Sequence, residues 1–183
     1  MLRKIILVTF LPLFMLTGCA SSGRVHDKDY LRAVSISGDE RKEITLSFFS
    51  EDKESVSVSG EDIDSAIEAA EIVTGKTVFT GYTELIILGD CNCTEVLSYL
   101  LNKWKVSPSC LVAYSRNGAS LLRDKDAEQL EGAVKEAAEQ GKVRNSDIIT
   151  VLGKLLNDSE AELPELQKSG DITACIVEKK TDS

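Results

Sequence analysis

Histidine and cysteine, whose spacing most readily marks a metal, redox or triad site, are few: one histidine, His26, and five cysteines in 183 residues. Cys91 and Cys93 flank Asn92, and paired thiolates at that spacing could start a metal or redox site. A zinc site needs a third and fourth ligand, and the sole imidazole, His26, falls in a small, polar stretch. As the chain reads as exported, disulfides are open to it. Cys91, Cys93, Cys110 and Cys175 allow three connectivities, which spacing does not choose between. Cys110 and Cys175 sit in apolar segments, Cys110-Leu-Val-Ala and Ile172-Thr-Ala-Cys175-Ile-Val, where a small buried thiol is the default. No GxGxxG, GxxxxGK[ST], HExxH or GxSxG pattern occurs. The acidic pairs Glu61-Asp62 and Asp124/Asp126 read as solvated helix starts. No catalytic residue, cofactor or metal is expected.

Cys19 is different, because its neighbours define its chemistry. Arg3 and Lys4 precede twelve uncharged residues, Ile5 to Leu16, and Leu16-Thr17-Gly18-Cys19 follows. A basic start, a short apolar run and small residues before the cut mark a secretory signal. The run is shorter than the roughly 20 residues that a spanning helix needs. The tetrapeptide resembles the lipobox of bacterial lipoproteins. That resemblance implies a diacylglyceryl group on the Cys19 thiol, cleavage after Gly18 and a membrane anchor on the extracytoplasmic face. Residues 1–18 are thus expected to be the signal, 19–28 a linker and 29–183 a single domain.

Removing the signal leaves 19 Lys and Arg against 30 Asp and Glu, a net charge of about −11. Such a balance excludes a nucleic-acid partner, which needs clustered cations. It also leaves the acyl chains to do the anchoring.

The elements that would hold these residues follow from hydrophobic period. Tyr30–Ser37 and Glu43–Phe49 read as a β-hairpin, and Glu51–Ser59 as a mobile, charged, serine-rich connection. Gly60-Glu61-Asp62 opens a helix with Ile63, Ala66, Ile67, Ala70 and Val73 inward and Gly75 as its stop. Leu85–Leu88 and Leu111–Tyr114 are continuous apolar runs, as in strands buried on both faces. Helices are expected over Thr94–Trp104, from Gly118 to near Leu122, over Asp126–Gln140 and from Asp147 through Leu156. The acidic stretch Asn157–Lys168, with Pro164, reads as a connection before a last strand, Ile172–Val177. Trp104 is expected in the core, and Phe48 and Phe49 on opposite faces. The order predicts an α/β fold with α+β tendency, a mixed sheet with helices on its faces.

The helix opening Gly60-x-x-Ile63-x-x-Ala66-Ile67, the run Lys76-Thr-Val-Phe79-Thr-Gly81-Tyr82-Thr-Glu-Leu85-Ile-Ile-Leu-Gly89 and the segment Cys110-Leu-Val-Ala-Tyr-Ser-Arg-Asn-Gly118-Ala119-Ser-Leu-Leu122 follow the lipobox in order. Together they resemble the amino-terminal domain of the Ger(x)C spore germination proteins, the C subunits of germinant receptors. The chain departs from that family where Ala20-Ser21 follows the cysteine and at Gly81-Tyr82-Thr83-Glu84. The resemblance implies a non-enzymatic binding or scaffold subunit at the inner spore membrane, beside multi-span receptor subunits of the A and B types. It carries over no ligand-binding residue. The alternative is an unrelated surface lipoprotein that captures a ligand or assists envelope assembly.

Overall fold

The computed structural model describes residues 28–50 and 53–180; Cys19, His26 and the signal lie outside them. Strands β1 (Lys28–Ser37) and β2 (Lys42–Phe48) form the expected hairpin around Gly38, whose φ of 85° suits a residue without a side chain. β1 starts at Lys28, inside the stretch read as linker. The connection expected over Glu51–Ser59 is instead partly a strand, β3 (Val56–Gly60), paired antiparallel with β2. Its Val-Ser-Val-Ser alternation suits an edge strand, with Val56 and Val58 partly buried against the core.

Helix α1 (Ile63–Thr74) begins in a capping box. The Ser65 N–H donates to Asp62 Oδ1 at 2.8 Å, and the Asp62 N–H donates to Ser65 Oγ at 3.1 Å. Gly75, at φ 69°, ends it. Ile63, Ala66 and Ala70 are buried, but Val73, expected inward, is 68% exposed, because the helix has by then turned its apolar stripe off the sheet. Short β4 (Thr77–Phe79) pairs parallel with the start of β1, and β5 (Leu85–Leu88) pairs parallel further along the same strand. Helix α2 (Cys93–Tyr99) continues into a π-helical turn, Leu100–Trp104, closed by the Lys105 N–H to the Leu100 carbonyl. β6 (Leu111–Tyr114) follows, then α3 (Gly118–Asp124), α4 (Ala127–Glu139) and α5 (Ile148–Asn157). Asp126 caps α4, whereas Asp124 closes α3 instead of starting a helix.

A further departure from the sequence reading is β7 (Glu160–Leu166), which pairs antiparallel with β8 (Ile172–Glu178) along its whole length. Pro164 has no N–H to give to a ladder. β7 tolerates it because only Glu165 pairs with β6, opposite Tyr114. The rest of that β6 edge is taken by the start of α5, where Val112 N–H donates to the Ser146 carbonyl and Ile148 N–H to the Cys110 carbonyl.

The result is an eight-stranded mixed sheet, seven strands in the order β3-β2-β1-β5-β6-β7-β8 and β4 beside the start of β1, an α/β fold. Val34, Ile36, Ile86, Leu88 and Val112 bury one sheet face under α1, α2 and α5. Ala33, Leu85, Ile87 and Ala113 bury the other under α3 and α4. Every residue of β5 is buried, as its continuous apolar run requires.

Candidate functional site

After β5 the chain leaves toward α2 on one face, and after β6 toward α3 on the other. Where neighbouring parallel strands send their connections to opposite sides, a crevice opens beyond their carboxyl ends. Here it is a solvent-open groove of about 680 Å³. Gly89, Asp90, Cys91 and Cys93 form one wall, and Tyr114, Arg116 and Glu165 the next. Cys175 to Lys180 of the last strand close the third. The β7–β8 hairpin, joined to β6 only through Glu165 and Tyr114, supplies this third wall.

Hydrogen bonds and ion pairs join the loops that form the groove. Gly38 N–H donates to the Asp90 carbonyl at 3.0 Å, and Gly89 N–H to the Ile36 carbonyl at 2.8 Å. Gly89 must be glycine, since a side-chain carbon there would lie 2.8 Å from Ser37 Cβ. The Asn92 N–H donates to Asp39 Oδ1 at 2.7 Å. Lys180 then bridges Asp39 at 2.5 Å and Asp90 at 3.2 Å, tying the end of the last strand to both loops. The bond from Lys180 holds the Asp39 carboxyl below its ordinary value, and Asp39 in turn raises Lys180.

Three thiols floor the groove. Cys91 and Cys93 are buried and Cys175 is half-buried; all three, and buried Cys110, are free thiols. Hydrogen bonding between neighbours pushes Cys91 up and makes Cys93 the more acidic of the two. Burial pushes Cys175 up to about 11. Lys42, 5% exposed, lies behind this floor with Nζ donating to the Gly38 carbonyl at 3.1 Å. Among the described residues no group of three or more His, Cys, Asp or Glu is placed to hold a metal ion. The groove therefore offers mixed charge at its rim (Arg116, Lys179 and Lys180 with Asp90, Glu165 and Glu178) over a thiol and aliphatic floor. That arrangement suits reversible polar contacts with a ligand or segment carrying both signs.

Of the cysteines singled out in the sequence, Cys91, Cys93 and Cys175 meet here. Cys110 lies at the other end of β6, buried, with its thiol pushed up to about 12 by burial. Trp104 is 8% exposed and packs in the core, and Phe48 is buried while Phe49 is 40% exposed. Sequence reasoning missed Lys42, Arg116 and Lys180. No local spacing signals them, because Lys180 meets Asp39 across 141 positions.

Fold and groove define a single α/β domain with an open groove at the carboxyl ends of its parallel strands. No protein family, curated protein or solved structure matches the chain.

Proposed function

We propose that this chain is a lipid-anchored, non-enzymatic recognition subunit acting beside multi-span membrane proteins in spore germination, as the Ger(x)C resemblance implies. The observation that supports it is where the residues carrying that resemblance fall. A side-chain carbon at Gly60 would lie 2.5 Å from the Ala66 backbone nitrogen, and one at Gly118 2.3 Å from Ser35 Oγ. Ile63, Ala66, Leu85 and Leu122 are buried. These are positions where close packing dictates residue type, so a shared pattern of them carries information about shared architecture.

Partner contact falls to the groove and the adjoining outer edge of β8. Among the described residues no further strand pairs with that edge, and Ile176 on it is 56% exposed. An open edge of this kind offers backbone groups to a pairing segment.

The test is a cross-linked pull-down from membranes of sporulating cells. The wild-type chain brings down multi-span proteins, and Ile176→Asp stays in the membrane fraction but loses them. Normal germination after loss of the gene contradicts the reading.

A further inference from the structure

We infer that the end of the domain where β1 begins lies against the headgroups of the bilayer that holds Cys19; this rests on the lipid-anchor reading above. Aromatic, aliphatic and cationic side chains collect there. Tyr30, Phe79 and Tyr82 form a triangle with ring centroids 5.1–5.9 Å apart. Tyr82 is 61% exposed, and Phe49 sits beside Tyr30, its N–H donating to the Tyr30 carbonyl. Ile72 and Val73, at 83% and 68% exposure, end α1 just before β4, which pairs with Lys28–Tyr30. Among the described residues, four of the seven exposed large hydrophobic side chains are thus at one end.

The cations are gathered in the same place. Lys28 Nζ lies 5.5 Å from the centre of the Phe79 ring, and Lys53 Nζ 4.4 Å from that of Phe48. Lys53 and Lys76 both pair with the buried Asp29 carboxylate. Helix α2 ends here too, since a Gly81 side-chain carbon would approach the Trp104 carbonyl, and it brings exposed Lys103 and Lys105. Among the described residues the exposed acids nearby are Glu54 and Glu68, with Asp124, Asp126 and Glu128 bordering the Phe49 side. Five lysines thus collect at this end of a mature chain whose net charge is about −11. Tyrosine with lysine is the composition of a membrane–water interface, where rings sit at headgroup level and ammonium groups meet lipid phosphate.

The tether makes the contact effective. From Cys19 to Lys28 is nine residues, which reach at most about 30 Å when fully extended. An anchored domain therefore presents this end to the membrane at high effective concentration, and weak individual contacts suffice to orient it.

Amine-reactive labelling of the purified lipoprotein in phosphatidylcholine–phosphatidylglycerol vesicles tests this. The reference is the same domain cut free at a protease site placed within residues 20–27. Lys28, Lys76 and Lys103 are expected to label severalfold less on the vesicles than when cut free, and Lys168 and Lys179 equally in both. An Ile72→Ser, Tyr82→Ser double variant should float with the vesicles yet regain labelling at Lys28 and Lys76. Equal labelling of wild-type Lys28 and Lys76 in both states, on protein that floats with the vesicles, overturns the docked face and leaves the anchor standing. Wild-type protein that fails to float overturns both.

Discussion

Gly118 lies directly over Ser35: a side-chain carbon at position 118 would come within 2.3 Å of Ser35 Oγ and 3.2 Å of its Cβ. It would also meet Ile87 Cγ2 at 2.9 Å. The first turn of α3 thus packs its backbone directly onto β1 and β5. Gly118→Ala is predicted to destabilise the domain by roughly 1–3 kcal/mol through overpacking. Adding Ser35→Ala should recover part of the loss, because it removes the closest atom. Urea unfolding of the two single variants and the double variant measures this.

Asp147 performs two tasks at the start of α5. Its carboxylate accepts from the Thr150 N–H at 2.9 Å and from the Thr150 hydroxyl at 2.7 Å, while its backbone bridges to Leu111 of β6. Asp147→Ala should cost about 1 kcal/mol of stability, and Asp147→Asn much less, since asparagine caps equally well. Thermal unfolding of both variants reads the difference.

Cys110 gives the fold an alkaline limit. Its ordinary thiol value is 9.0, and burial pushes it up to about 12. Between those values the unfolded chain carries a thiolate while the folded chain keeps the proton. The unfolded state then binds fewer protons, so stability falls as pH rises. The contribution is intact below about pH 9. Denaturant midpoints from pH 8 upward should drop more steeply for the wild type than for Cys110→Ala. The native thiol should also resist alkylation at neutral pH until urea is added. Labelling of native Cys110 at the unfolded rate would contradict its burial.

Much of the fold was readable from period and punctuation. The runs Leu85–Leu88 and Leu111–Tyr114 announced central strands, because a strand covered on both faces has no polar position to alternate with. Asp62, Gly75, Asp126 and Asp147 marked helix ends through local hydrogen bonding, which spacing records directly. β3 and β7 were not readable in that way. In β3 the charged, serine-rich surroundings masked a short alternation. In β7 Pro164 and three glutamates argued against a strand, and only the single pair with β6 explains why they are tolerated. The groove was illegible for the same reason. Its closing wall depends on the β7–β8 hairpin, and no local pattern joins Lys180 to Asp39. Val73 shows the converse limit: helical spacing placed it inward, but the last turn of α1 overhangs the sheet.

Under the proposed lipid anchor, Cys19 is what brings the groove, the open edge of β8 and the lysine-rich end to their proposed partners. Mass spectrometry of the amino-terminal peptide, recovered from membranes of cells expressing the wild type and Cys19→Ala, tests it most directly. The predicted result is a wild-type chain beginning at Cys19 with a diacylglyceryl thioether, and a Cys19→Ala chain lost from the fraction held by lipid. An unmodified Cys19 thiol on the wild-type protein, with membrane fractionation unchanged in Cys19→Ala, would contradict it.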